Sequence, residues 1–490
     1  MTGSTPSKQT PISASRVRDY LFCPHRVFLD EFGDKSRMDP ESDLEKLLWE
    51  RGMAHEKDAL DQLGLVVTEV EGEDFGQCEK ETLRLMTGGT RLIYQGCLST
   101  PSLRGRPDLL EKTQGESKFG SYHYVPVEMK SGSAYLDEEA GTIKEDYVLQ
   151  LSLYADLLHK VQGVKPKIGN IIDGDLRRVS VKLEPHEPDY QQCLSEIADL
   201  LSGKTESEPC IGGICKQCHW WSFCYSWAKE RDDVTLIYRL NRPKRDSLRL
   251  HGIRTVQALA GLAKAKTLPD IDGISQRALQ RFVRRANVLL SGKPVLHSPI
   301  EFPKAKLELF FDIETDPLGD ICYLYGIVER RGNARQRYVS FFADSPEEEQ
   351  RTWDEFWQYV AKLKDFQVYH YSSYEKTFLT RLRERYGCNQ TLFDDFLQHC
   401  TDLYFGAVER CSDWPSHSYS IKLVSQCLGF DYSEEEPGGI KAAMWYIEYV
   451  KDPVTNRALK DKIIQYNRED CEAMIVLKDW VVEKNRELRR

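Results

Sequence analysis

Two stretches of the chain set carboxylates beside a lysine or a tyrosine at spacings that suit metal chemistry. The first is Gly105-Arg106-Pro107-Asp108, where an acid closes an apolar run. It is followed by Val125-Pro126-Val127-Glu128-Met129-Lys130. Side chains two apart on a strand point to one face, so Glu128 and Lys130 project together, and a hairpin partner would set Asp108 beside them. Two carboxylates can hold a divalent ion against a phosphate, while a lysine orients the attacking water or stabilises developing charge. The second stretch, Leu307 to Thr315, is an apolar strand ending in Asp312 and Glu314; Tyr466 and Asp470 lie four apart on a C-terminal helix. Between them, Ser372-Ser373-Tyr374-Glu375 starts a helix with another acid, and Asp402 is an accessory candidate. Four converging carboxylates make a two-metal site: one ion activates water, the other holds the leaving oxygen, and the tyrosine positions the water.

A third pattern is soft rather than hard. Cys215-Lys216-Gln217-Cys218 followed by Cys224 has metal-ligand spacing, and thiolates select zinc or an iron–sulfur cluster. A fourth ligand is needed. Cys210 is near in sequence; Cys23 is far in sequence but can be near in space. The aromatics around this run (Trp220, Trp221, Phe223, Tyr225) read as core packing, with stacking on single-stranded bases as the alternative.

These residues need elements to position them. With 490 residues, 41% hydrophobic and 29% charged, the chain is long for one core and divides into two or three domains. Its net charge of −10 gives no general attraction to nucleic acid, so any such binding falls to a local patch. One exists: between Tyr238 and Asn287 twelve Lys/Arg face three acidic residues. Gly252-Ile253 and Gly273-Ile274 lie inside it, each shortly before a hydroxyl residue at a helix start. No apolar run reaches membrane-spanning length, and residues 1–12 are polar without an apolar signal core, which reads as a disordered lead on a cytoplasmic protein. The 14 cysteines are then expected as thiols.

In order, Ser13 caps a short helix and Pro24 restarts the chain into another. Helical apolar spacing runs from Asp43 to Leu63, and on residue type alone His55 within it reads as structural. Strand-like runs follow at 65–70, 92–98, 108–111 and 122–130. A helix at 145–159 puts Gln150 and Tyr154 on one face, and a further strand lies near 167–172. This order predicts an α/β sandwich around a mixed sheet. The last third predicts an antiparallel meander (307–315, 321–329, 337–342), a Trp-rich amphipathic helix (347–363), a strand (366–371) and a long helix from about Leu459.

Taken together, residues 13–228 resemble the RecB-like exonuclease domain of the PD-(D/E)xK superfamily, in the CRISPR-associated and AddB-type form with iron–sulfur cysteines. The matching residues are Gly52 and His55, Gly105 and Asp108, Glu128 and Lys130, Gln150 and Tyr154, and an early Cys23-Pro24 with the late cysteine run. The resemblance implies Mg²⁺ or Mn²⁺ on His55, Asp108 and Glu128, catalysis by Lys130 with Gln150 and Tyr154, and a 4Fe-4S cluster on Cys23, Cys215, Cys218 and Cys224, with zinc as the alternative metal. The middle segment resembles tandem helix-hairpin-helix modules, implying DNA-backbone contacts at Gly252, Gly273, Arg254, Arg281 and Arg284. The last third resembles the RNase H-like DEDD exonucleases of the tyrosine subtype, implying metals on Asp312, Glu314, Glu375 and Asp470 with Tyr466. Glu375 departs from the usual aspartate, its extra methylene reaching outward by about 1.5 Å. The whole looks like a bacterial family of RecB-type nucleases with a C-terminal RNase H-like domain.

The expected division is therefore a lead (1–12), a PD-(D/E)xK domain (13–230), a helix-hairpin-helix segment (235–293) and an RNase H-like domain (305–490). The function implied is a metal-dependent nuclease acting on DNA, exonucleolytic, in repair, recombination or defence. The alternatives are a nucleic-acid-binding scaffold that partners a helicase, and an RNA-processing exonuclease. Nothing in the chain encodes its oligomeric state.

Overall fold

The structure, a computed structural model, describes residues 10–41, 56–138, 140–316, 320–332, 336–434 and 438–489. His55 and Gly52 lie outside the described residues. The chain divides into two compact units, Met1–Pro209 with Gln217–Phe223, and Cys210–Lys216 with Cys224–Arg490.

The first unit is built on a mixed six-stranded sheet in the order Arg178–Lys182, Ile168–Ile172, Gly120–Met129, Leu109–Ser117, Leu92–Tyr94, Thr68–Glu69. Its centre is the antiparallel pair Leu109–Ser117 and Gly120–Met129, in which Leu109 faces Val127. Ile168–Ile172 runs parallel to Gly120–Met129. A parallel neighbour requires a crossover, and the helix Glu145–Gln162 supplies it. That helix buries Leu149, Leu153 and Leu157 in the main core and ends at Gly163 in the left-handed conformation (φ 81°). Ser13 caps the helix Ala14–Phe22 by accepting from the Arg16 N–H (3.2 Å), and Pro24 opens the helix Pro24–Phe32. The apolar run at 92–98 does not make one strand. Gln95 takes a left-handed backbone (φ 57°) and splits it into Leu92–Tyr94 and Leu98–Ser99.

The second unit includes the helices Arg242–Leu250, Val256–Gly261 and Gln276–Ser291. Gly252 and Gly273 sit in the turns before the last two, at φ 77° and 75°, and Thr255 and Ser275 cap those helices. A five-stranded sheet follows in the order Arg337–Phe342, Ile321–Arg330, Leu307–Asp316, Phe366–His370, Cys400–Asp402. The first three strands form the antiparallel meander; the other two are parallel. One face packs on an aromatic core around Trp353, Phe356 and Trp357, from the helix Glu349–Val360. The other packs on the 32-residue helix Arg457–Leu488 through Cys471, Met474 and Leu477. The protein is thus mixed α/β. Among the described residues no helix is long and apolar enough to cross a membrane.

Candidate active sites

In the first unit, Asp108 stands where the chain enters the strand Leu109–Ser117. Glu128 and Lys130 lie at the end of its antiparallel partner, so the hairpin register brings the three together. The Met129 N–H donates to Asp108 Oδ2 (2.7 Å), and the Asp108 N–H donates to Glu128 Oε1 (3.3 Å). Lys130 Nζ donates to Glu128 Oε2 (2.6 Å) and to Gln150 Oε1 (3.1 Å). Gln150 Nε2 donates to the Tyr154 hydroxyl (3.0 Å), which donates to the Arg106 carbonyl (3.4 Å). A Cβ at position 105 would lie 2.6 Å from the Tyr154 ring, so Gly105 is what lets that ring approach. Burial and the neighbouring Glu128 hold the Asp108 carboxyl well above its usual range. Burial alone would weaken the Lys130 ammonium, but Glu128 and Asp108 overcome it and raise its pKa.

One carboxylate here escaped the sequence reading. Glu56 Oε2 accepts from the Tyr94 hydroxyl and from Gln95 Nε2, both at 3.0 Å, and its pKa is raised by burial and by Glu128. The left-handed Gln95 also donates its N–H to the Asp108 carbonyl (2.9 Å), and its carbonyl accepts from Arg106 Nε (3.2 Å). A non-glycine residue at positive φ persists where several contacts hold it. No sequence signal marks Gln95, and Glu56 was visible only as the neighbour of His55.

In the second unit, Asp312, Glu314 and Asp470 each offer an oxygen within 4.8 Å of the others. Asp312 and Glu314 come from the central strand, which bulges just after Glu314, and Asp470 comes from the long helix. Burial raises the pKa of each, and mutual repulsion adds to it for Asp312 and Glu314. An all-oxygen, like-charged donor set suits a hard divalent cation such as Mg²⁺ or Mn²⁺. A cleft of about 260 Å³ is lined by these three acids, Tyr466, Tyr374 and Ile440.

Four further residues brace the trio or its neighbours. Asn467 Nδ2 donates to Asp312 Oδ2 (2.7 Å) and is itself held by the Tyr338 hydroxyl (2.8 Å). Tyr432 donates to Asp470 Oδ1 (2.7 Å), and Lys422 Nζ donates to the Tyr466 oxygen. Asn467 was legible as the neighbour of Tyr466; no spacing signal marked Lys422. Glu375 does not join the 4.8 Å group. It turns to His370 (Nδ1 to Oε2, 3.5 Å), and both are buried. Asp402 accepts from the Ser372 and Phe405 N–H groups (3.1 and 3.0 Å) and so braces a loop.

Residues 34–225 match the PD-(D/E)XK nuclease superfamily and residues 309–482 the RNase H superfamily. The chain carries both domains. No curated protein matches it. Both superfamilies act on nucleic acid, and the carboxylates of each domain lie inside the matched residues.

The PD-(D/E)XK domain also ties its ends together. His219 Nε2 and Trp220 Nε1 both bond Asp30 Oδ1 (2.7 and 2.8 Å), and the Ser222 N–H donates to Asp39 Oδ2 (2.9 Å). The Cys218 thiol is pushed up by burial, and Cys23 lies close enough to add to that shift. Near the other cysteines, the Gly212 N–H points at Cys215 Sγ (3.3 Å), which also contacts the Cys210 carbonyl (3.6 Å).

The basic helices look different in space from their count in sequence. Arg285 is 2% exposed and bonds Asp413 Oδ1 (3.1 Å), Glu409 Oε2 (3.2 Å) and the Tyr238 carbonyl (3.0 Å). Arg284 bonds Asp413 Oδ2 (3.0 Å) and Arg281 faces Glu409 (3.6 Å), so two of the three arginines expected at DNA pair with RNase H-domain carboxylates. Arg254 stays exposed. Thr255 and Ser275 already accept from the Ala258 and Ala278 N–H groups (3.0 and 3.3 Å).

Proposed function

We propose that the protein hydrolyses DNA with divalent metal ions at two sites, and that the RNase H-like site trims strand ends exonucleolytically. The observation that carries this reading is the gathering of the half-buried Asp312 with the buried Glu314 and Asp470, mutually repelling in a way that a divalent ion would neutralise. Bound there, the ion supplies an activated water and charge stabilisation at phosphorus. Asn467 orients Asp312, Tyr432 orients Asp470, and Tyr466 positions the water. In the PD-(D/E)XK domain Asp108 and Glu128, with Glu56 and His55 as further candidates, hold the ion. Lys130, steered by Gln150, stabilises the developing charge.

An iron–sulfur cluster stays part of this reading for the cysteines of the sequence pattern, Cys23 and Cys218 among them. The turns at Gly252 and Gly273, with Arg254, contact the DNA backbone. The test is degradation of end-labelled single- and double-stranded DNA and RNA with Mg²⁺ or Mn²⁺ by the wild type, Lys130→Ala and Asp312→Asn. Two separable losses on DNA are expected. A wild type that cuts nothing sinks the reading in favour of a binding scaffold, and cleavage confined to RNA reassigns the substrate.

A further inference from the structure

The RNase H-like site holds a cation of its own. Lys422 lies on the short helix Ile421–Gln426, whose start Ser420 caps. Its Nζ donates to the Tyr466 oxygen and sits 4.4 Å from the centre of that ring. An ammonium has donors only, so the phenol must accept from it, and the phenol's own proton is then directed elsewhere. Tyr466 lines one cleft with Asp312, Glu314 and Asp470, so the hydroxyl that Lys422 fixes stands at the acids. The same charge offsets Asp312, Glu314 and Asp470 alike, whereas Glu375 has turned to His370. The PD-(D/E)XK domain groups acids, a lysine and a tyrosine as well, through Lys130, Gln150 and Tyr154.

The geometry points to Lys422 as a positioning residue of the RNase H-like site, where its ammonium fixes the Tyr466 hydroxyl at the wall of the cleft that Asp312, Glu314 and Asp470 line. This rests on the reading of that site as a metal-dependent nuclease. It has an unusual consequence. Lys422 competes with the incoming divalent ion, so removing it tightens metal binding while it slows turnover. A residue that merely supports the fold would weaken both.

The test uses the full chain with Glu56→Gln, Asp108→Asn and Glu128→Gln, which strips the first site of the acids gathered there. Into this parent go Lys422→Met, Lys422→Arg and, as a control, Asp312→Asn. Mn²⁺ binding is read by the paramagnetic resonance of free Mn²⁺, and kcat and KM are read on end-labelled DNA. Lys422→Met is expected to bind Mn²⁺ about tenfold more tightly, since one nearby like charge is removed. Its kcat should fall roughly 10²-fold with KM little changed, the usual loss when one preorganised donor goes. Lys422→Arg should keep most of both properties. Weaker Mn²⁺ binding in Lys422→Met, or an unchanged kcat, overturns the proposal. If the parent has no activity that Asp312→Asn removes, the nuclease reading of the site fails, while the direction of the Mn²⁺ change still decides the place assigned to Lys422.

Discussion

Asp312→Asn should stabilise the metal-free protein. Asp312 is half-buried beside the buried Glu314 and Asp470, their oxygens within 4.8 Å of one another, and the substitution keeps the volume and the acceptor for Asn467. At that separation and an effective dielectric of about 20, each fully ionised pair costs about 3.5 kcal/mol. Partial protonation and the Lys422 charge reduce this, leaving about 1–3 kcal/mol to recover. In a unit of this size that corresponds to a rise in Tm of roughly 3–8 °C. The assay is a thermal melt in EDTA and again with Mn²⁺. The wild type should gain about 2.7 kcal/mol at a hundredfold excess of Mn²⁺ over Kd, and the variant little of it.

The pH dependence gives a second reading of the same repulsion. The folded carboxyls titrate above their unfolded values, so the folded state binds more protons through that window. Metal-free stability is therefore full below the ordinary carboxylate range and falls as pH rises from about 4 toward the raised values. Asp312→Asn should flatten that fall. A variant that melts lower than the wild type in EDTA, with an unchanged pH slope, would refute the idea that these acids are held against their own repulsion.

Gly326→Ala should silence the RNase H-like site without touching an acid. The new Cβ would lie 1.6 Å from Asn467 Oδ1, so Asn467 must leave Asp312, at a cost of about 1–3 kcal/mol measured by denaturant melts. Arg285→Met should cost about 3 kcal/mol in the same assay, because Glu409 and Asp413 are buried and lose their shared partner; a neutral result would mean Arg239, Arg281 and Arg284 cover both acids unaided. Cys23→Ser should release bound metal, read by elemental analysis and loss of brown absorbance, whereas Cys210→Ser should retain it; a colourless, zinc-loaded wild type would exclude the cluster.

Periodicity and spacing alone made much of this protein legible. Alternation placed Glu128 with Lys130 and Asp312 with Glu314, because a strand repeats every two residues whatever surrounds it. The four-residue helical repeat placed Gln150 with Tyr154 and Tyr466 with Asp470 for the same reason. Gly252 and Gly273 announced turns that need a left-handed backbone, and Thr255 and Ser275 announced helix caps. What the sequence could not carry was charge pairing across long separations. Twelve basic residues looked like a free patch, yet Arg285 is buried against acids more than 120 positions away. Glu375 was named for its type and position, and its approach to His370, at 3.5 Å, is a pairing the sequence did not announce. Gln95, Asn467 and Lys422 belong to their sites only because the packed sheets and the long helix bring them there; Asn467 lies 155 positions from the acid it holds. Local backbone geometry is written residue by residue, whereas which charge meets which is settled only when the core closes.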